Sequence, residues 1–149
     1  MNKYLLSKKK DLVKNVQSSN SHCCEVFAIL LNSATQAHIY HLQVNTKSVS
    51  NAYAAHKALN TYYDSIIPLA DSLIETYQGM YGIEFGYPEQ VHLKNYTTIQ
   101  DVINYFNYLA SYLKEVRYTA FKKEDSNLQN DIDTIVSLIY STLYKLVNL

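Results

Sequence analysis

Apolar residues recur at helical spacing along four stretches of this chain, and polar residues occupy the positions between them. In residues 25–44 and 50–78 the apolar side chains return every three or four residues, which predicts two long amphipathic helices. Two later stretches with the same period begin near Thr97 and Ser126. Four such helices in 149 residues predict an all-α fold, with the apolar faces meeting in one four-helix bundle.

The ends of the expected helices carry residues that suit helix caps. Ser48 or Ser50 would cap the second helix, and Gly79 is expected just past its end, because glycine adopts the left-handed conformation without strain. Residues 97–100 and 126–129 each have the form of a capping box. These two motifs predict the starts of the third and fourth helices.

The stretch between the second and third helices differs in composition from the rest of the chain. It contains Gly82, Gly86 and Pro88, and it is long enough to return the chain to the other end of the bundle. A short helix is expected to start at Pro88, and Glu89 and His92 have the ExxH spacing known from carboxylate-bridged metal sites. The predicted fold is therefore a ferritin-like four-helix bundle with a long connection between helices 2 and 3.

Residues 1–21 are basic, whereas the whole chain has no net charge. Five lysines stand against one aspartate in this segment, a local charge of +4. The sequence NVQSSNS at its end predicts a flexible joint, so residues 1–21 are expected as an arm and residues 22–149 as the bundle domain. The arm would either contact DNA phosphates or form a short solvated helix. The lysines expected to contact DNA are Lys8, Lys9, Lys10 and Lys14.

Composition narrows the class of protein. A formal net charge of zero excludes a global attraction to DNA or membranes, and no apolar run approaches the ~20 residues of a membrane span. No apolar signal core is present near the N-terminus, so a cytoplasmic location is expected. The adjacent Cys23 and Cys24 are expected to be reduced. Fifteen tyrosines on a neutral chain predict self-association.

Histidines and acids on the first two helices indicate a metal site. His41 falls in the middle of the apolar face of the first helix and His38 on its edge, where an imidazole must be hydrogen-bonded or bound to a ligand. The chain has no phosphate-binding glycine-rich loop and no serine or cysteine nucleophile in an elbow context. On the second helix, a polar stripe borders the apolar face within an arc of ~100°. The stripe consists of His56, Asn60, Asp64, Asp71 and Glu75.

His56, Asp71 and Glu75 have the spacing of the ferroxidase stretch of the Dps (DNA-protection-during-starvation) mini-ferritins, which this part of the chain resembles. His41 would match the histidine of that family's first helix, although its gap to His56 is longer than is usual in the family. Asn60 stands where that family has a metal-binding aspartate. The resemblance implies that iron, as Fe(II) and Fe(III), is bound between two subunits. One subunit would supply the histidines and the other the carboxylates. It also implies oxidation by peroxide or oxygen, a homo-oligomer of up to twelve subunits, and DNA held by a basic arm. The implied ligands are His41, His56, Asp71 and Glu75, with His38 and Asp64 as supporting or substitute ligands.

Three functions stay open at this point. The first is a Dps-like protein that binds iron near a subunit interface and oxidises it, which would make it a ferroxidase. The second is a bundle without redox chemistry that serves as an assembly or interaction module. The third is a nucleic-acid-binding bundle that acts through the basic arm. The stretch is also similar to small phage-encoded proteins, so the second interpretation includes a phage structural or accessory protein, in the virion or the host cytoplasm.

Overall fold

The computed structural model describes residues 3–45, 47, 49–84, 86–87 and 92–149, with side chains from residue 22 onward within those ranges. Among the residues described there are four helices and no strand. The predicted all-α fold is confirmed. The helices are α1 (Lys3–Gln43), α2 (Ala52–Tyr81), α3 (Ile99–Thr119) and α4 (Ser126–Val147).

Helices α1 and α2 pack side by side in opposite directions. His41, near the end of α1, contacts His56, near the start of α2. At the other end of the pair the ring of Phe27 lies 5.6 Å from the ring of Tyr77, measured between centroids. The connection between the two helices is short, and a short connection joins neighbouring helices that run in opposite directions.

The long connection after α2 crosses the length of the bundle. Helix α3 begins beside the end of α1, where the rings of Tyr40 and Tyr105 lie 5.7 Å apart. Helix α4 begins beside the end of α2, where the hydroxyl of Tyr81 donates a hydrogen bond to the Asp125 carboxylate. A single crossover between helices 2 and 3 was predicted, and this wiring, which ferritin-like bundles share, is confirmed.

The core consists of the apolar faces that the periodicity predicted. Burial of each Leu or Ile side chain contributes roughly 1.5–3 kcal/mol, so these faces supply the main driving force for the bundle. A polar pair lies inside the core, because the Ser33 hydroxyl bonds to the Tyr62 hydroxyl at 2.8 Å. The periodic apolar positions of α4 are all buried, namely Leu128, Ile132, Ile135, Ile139, Leu143 and Leu146.

Both predicted ends of α2 need correction. The helix continues through Gly79, and Gly82 is the residue that ends it, with φ of 62° in the left-handed region. A glycine inside a helix costs only about 1 kcal/mol, so Gly79 need not stop it. At the start, the side chain of Asn51 accepts the hydrogen bond that Ser50 was expected to accept. Ser48, the other predicted cap, lies outside the described residues.

The predicted capping boxes are displaced or absent. The box of α3 joins Thr98 to Asp101, one residue later than the predicted box at residues 97–100, because two adjacent threonines fit the pattern equally well. Helix α4 starts as expected, but the box predicted at residues 126–129 is absent. Its N-cap residue is Asp125, whose side chain makes no capping bond and binds other donors.

Several expectations fall on parts of the chain with little or no description. The joint predicted at residues 15–21 is helical, because α1 runs without a break from Lys3. The side chains of residues 1–21 lie outside the described part, so DNA contact through the arm stays a prediction. The same holds for the short helix at Pro88 and for Glu89, whereas His92 is exposed. None of the described helices has both the length and the apolar character needed to cross a membrane.

Candidate functional site

The last turn of α1 and the first turns of α2 bring two histidines face to face. The rings of His41 and His56 are stacked, with centroids 3.5 Å apart and planes inclined by 30°. His41 is buried on the apolar face of α1, as its position in the periodic pattern indicated. We call these two residues the histidine pair.

Each histidine of the pair bonds to the backbone of the other. Nδ1 of His41 donates to the carbonyl oxygen of His56 at 3.0 Å, and Nδ1 of His56 donates to the carbonyl oxygen of His41 at 3.1 Å. Because a carbonyl oxygen only accepts, both Nδ1 atoms carry hydrogen, and in the neutral rings Nε2 holds the lone pair. The His41 carbonyl is one of the last four in α1, which lack a donor from their own helix, so His56 caps α1.

Burial makes the charged form of His41 unfavourable. Loss of hydration lowers the pKa of His41 below its ordinary value. The bond to the His56 carbonyl and the negative charge of Asp64 oppose this shift, whereas the neighbouring rings of His56 and His38 add to it. The net direction is downward, so His41 is neutral at physiological pH.

A chain of polar groups surrounds the histidine pair on the α2 side. The exposed His38 lies against Tyr63, with ring centroids 4.6 Å apart. The Tyr63 hydroxyl donates to Oδ1 of Asn60 at 2.9 Å, and Nδ2 of Asn60 donates to Oδ2 of Asp64 at 2.5 Å. The amide of Asn60 is therefore engaged at both its oxygen and its nitrogen. Three of the six predicted ligands, His38, His41 and His56, are brought together, with Asp64 linked to them through Asn60 and Tyr63.

The other two predicted ligands lie elsewhere on α2. Asp71 and Glu75 are exposed, fifteen and nineteen residues after His56 on one continuous helix. At 1.5 Å per residue they stand roughly 22 and 28 Å along the axis from that histidine. Within one chain the six expected ligands therefore divide into two separate groups. Among the described side chains, no set of three or more His, Cys, Asp and Glu residues is arranged to hold a metal ion.

A second polar site was not predicted from the sequence. A cleft of about 590 Å³ opens between the end of α1, the segment before α3 and the first turns of α3. The signal that could have revealed it is Gln36, a polar residue on the buried face of α1, where it is 1% exposed. The cleft is lined by Tyr40, Lys94, Asn95, Thr97, Asp101, Asn104, Tyr105 and Tyr108.

Comparison with known proteins identifies a family whose model matches this chain. A family model described as a family of unknown function (DUF5856) matches residues 41–146, which is more than half of the chain. The matched region begins at the first histidine of the pair and covers α2, α3 and nearly all of α4. No curated protein and no solved structure matches the chain.

Proposed function

The chain belongs to the DUF5856 family, whose description states no activity, and we propose from its geometry that it is an assembly module that associates with further copies of itself. The observation that carries the proposal is the exposure of large tyrosine rings. Tyr118 on α3 is 70% exposed and Tyr144 on α4 is 72% exposed. Tyrosine is enriched at interfaces, because its rigid ring buries a large area while its hydroxyl keeps a polar partner.

The charge of the chain favours the same function. With a formal net charge of zero, identical copies meet no long-range repulsion. Positive groups already lie beside the tyrosines, since Nη1 of Arg117 donates to the hydroxyl of Tyr118 at 2.6 Å. The free thiols of Cys23 and Cys24 favour a reducing compartment, so we place the assembly in the cytoplasm.

The histidine pair fits a structural role in such a module. Both Nδ1 hydrogens are donated to backbone carbonyls, so the two rings connect α1 to α2 within a single chain. This arrangement supports a bundle whose histidines serve packing and whose outer surface serves association.

The test is the mass of the assembly in solution, measured by light scattering after size-exclusion chromatography. The unmodified protein is expected at a multiple of the mass of one chain, and the double variant Tyr118→Ser, Tyr144→Ser at a smaller multiple. The control Asn107→Ser, Asn130→Ser changes exposed polar residues on the same two helices and should keep the original mass. An unmodified protein that stays monomeric at high micromolar concentration would refute self-association.

A second function, Dps-like iron binding and oxidation between subunits, has one specific observation in its favour. Metal-binding histidines commonly donate one ring hydrogen to a backbone carbonyl and bind the metal with the other nitrogen, and both members of the pair have this arrangement. Within the described residues, Nε2 of His41 and of His56 has no hydrogen-bond partner. Iron also requires carboxylate ligands, which Asp71 and Glu75 of a second copy would supply. Both residues are exposed, so they can reach the histidine pair of a neighbouring copy.

A further inference from the structure

The cleft at the start of α3 has the dimensions of a small-molecule site. Its volume of about 590 Å³ falls inside the range of 300–1,000 Å³ typical of ligand pockets. It lies apart from the exposed tyrosines proposed for self-association and does not include the histidine pair. A ligand bound in the cleft would lie against none of those residues, because Tyr118, Tyr144, His41 and His56 are not part of its walls.

Two glutamines of α1 hold one wall of the cleft in place. Nε2 of Gln36 donates to the carbonyl oxygen of Lys94 at 2.7 Å, and the backbone N–H of Lys94 donates to Oε1 of Gln36 at 2.6 Å. Gln43 repeats this arrangement one step further on, donating to Oδ1 of Asn95 at 3.0 Å and accepting from the N–H of Tyr96 at 2.6 Å. A wall fixed in this way keeps its polar groups in position before a ligand arrives, which reduces the entropy lost on binding.

The Tyr40 hydroxyl has no hydrogen-bond partner among the residues described. Tyr40 lines the cleft and is only 1% exposed, yet within the part of the chain that the structure describes no group bonds to its hydroxyl. Burial raises the pKa of Tyr40, and the charge of Asp101 raises it further, so the hydroxyl stays neutral and can both donate and accept. The hydroxyl is therefore open to a hydrogen bond from a ligand in the cleft.

The remaining polar groups of the cleft are already oriented. Asn95 accepts a bond at Oδ1, and Oδ1 of Asn104 accepts from Gln100 at 2.9 Å, so both amide NH₂ groups remain as donors. Asp101 binds the N–H and the hydroxyl of Thr98 through Oδ2, which leaves Oδ1 as an acceptor.

The charges and rings of the cleft narrow the class of ligand. Lys94 and Asp101 carry opposite charges, so the lining as a whole is neutral and favours a neutral ligand. The ring of Tyr105 packs edge-on against Tyr40, and Tyr108, which is 66% exposed, offers a ring for stacking.

We propose that this cleft binds a neutral saccharide. Each sugar hydroxyl both donates and accepts, so one ring can meet the free amide donors, the Asp101 oxygen and the Tyr40 hydroxyl together. The apolar C–H face of the sugar would lie on Tyr108 and lose its contact with water there.

The experiment is a titration of the full chain with glucose, galactose, mannose, N-acetylglucosamine and maltose, followed by ¹H–¹⁵N NMR shifts. At least one sugar is expected to give saturable shifts with a Kd in the millimolar range. Tyr40→Phe, which removes only the hydroxyl, and Tyr108→Ala, which removes the stacking ring, should each weaken binding about tenfold. The matched controls Tyr53→Phe and Tyr53→Ala change an exposed tyrosine outside the cleft and should alter the Kd less than about twofold.

Two results would overturn the proposal. One is the absence of saturable shifts with every sugar up to tens of millimolar. The other is sugar binding that both cleft variants leave unchanged while their spectra show the native fold. A parallel titration with glycine, serine and uridine tests the ligand class, and binding of these compounds in place of sugars would refute the assignment to saccharides.

Discussion

His41 and His56 each donate the Nδ1 hydrogen to the backbone carbonyl of the other, so two imidazoles join α1 and α2 through a symmetric pair of bonds. The link is made at the end of α1, where helical carbonyls have no donors of their own. One consequence is that the stability of this helix pair should depend on the protonation of His41.

The free energy of unfolding is expected to fall as the pH drops below 6.5, the ordinary pKa of histidine. Burial lowers the pKa of His41 in the folded chain, so in that range the unfolded chain binds a proton that the folded chain does not. Well above 6.5 both states are neutral and the contribution of His41 to this pH dependence vanishes. Urea unfolding at a series of pH values from 7.5 to 5 measures how steeply the free energy of unfolding changes with pH. His41→Asn should flatten the slope, whereas His92→Asn, in the exposed connection, should leave it as it is. Equal slopes for His41→Asn and the unmodified protein would contradict this prediction.

The bond between Ser33 and Tyr62 in the core is expected to stabilise the bundle. Tyr62→Phe removes the hydroxyl from a fully buried ring and should lower the free energy of unfolding by about 1 kcal/mol. The cost is limited because the Ser33 hydroxyl keeps its bond to the carbonyl of Leu30. Urea unfolding is the measurement, and Tyr53→Phe, at a ring that is 73% exposed, is the control with no expected effect. The same change in both variants would show that the core bond contributes nothing.

Two glycines at the end of α2 should respond in opposite directions to alanine. Gly82→Ala places a Cβ at φ of 62°, which costs roughly 1–2 kcal/mol, although nothing lies within 4 Å of the added atom. Gly79→Ala also meets nothing within 4 Å, but it lies inside the helix, where alanine is favoured by roughly 0.5–1 kcal/mol. Thermal or urea unfolding of the two variants checks the sign. A stabilised Gly82→Ala variant would mean that α2 does not end at that residue.

Iron oxidation distinguishes the second function from the first. If subunits share an iron site, Fe(II) added without oxygen and then exposed to air should give ferric absorbance faster than buffer alone. Asp71→Asn, Glu75→Gln changes only exposed side chains, so it should abolish the acceleration without unfolding the chain. Glu84→Gln, Glu115→Gln is the matched control at exposed acids outside the predicted site. No acceleration by the unmodified protein would leave the assembly module as the proposed function.

The buried faces could be predicted because they depend on a local period. The spacing of Leu128, Ile132 and Ile139 requires one face of a helix wherever that helix packs, and all three are buried. Helix ends depend on competition between neighbours. Thr97 and Thr98 both fit a cap, and only the packed chain selects the second.

The candidate sites could be predicted only in part. Placing His41 on an apolar face correctly indicated that its ring is buried and bonded. The distance from His56 to Asp71 follows from the helix that carries both, and it keeps them apart within one chain. The cleft escaped prediction because Tyr40 and Tyr105, which lie far apart in sequence, meet only once the crossover has returned the chain to the end of α1.

Gln36 and Gln43 hydrogen-bond to residues 94–96 and so fix the position at which α3 begins. These bonds do not depend on the path that the crossover takes to reach residue 94. Residues added or removed between Gly82 and His92 would change the path of the crossover while α3 kept its register against α1. One residue added between Lys94 and Tyr96 would break this match, because the two glutamines stand about two helical turns apart and cannot follow the shift. We therefore expect the bundle to tolerate changes in chain length before His92 and not between Lys94 and Tyr96.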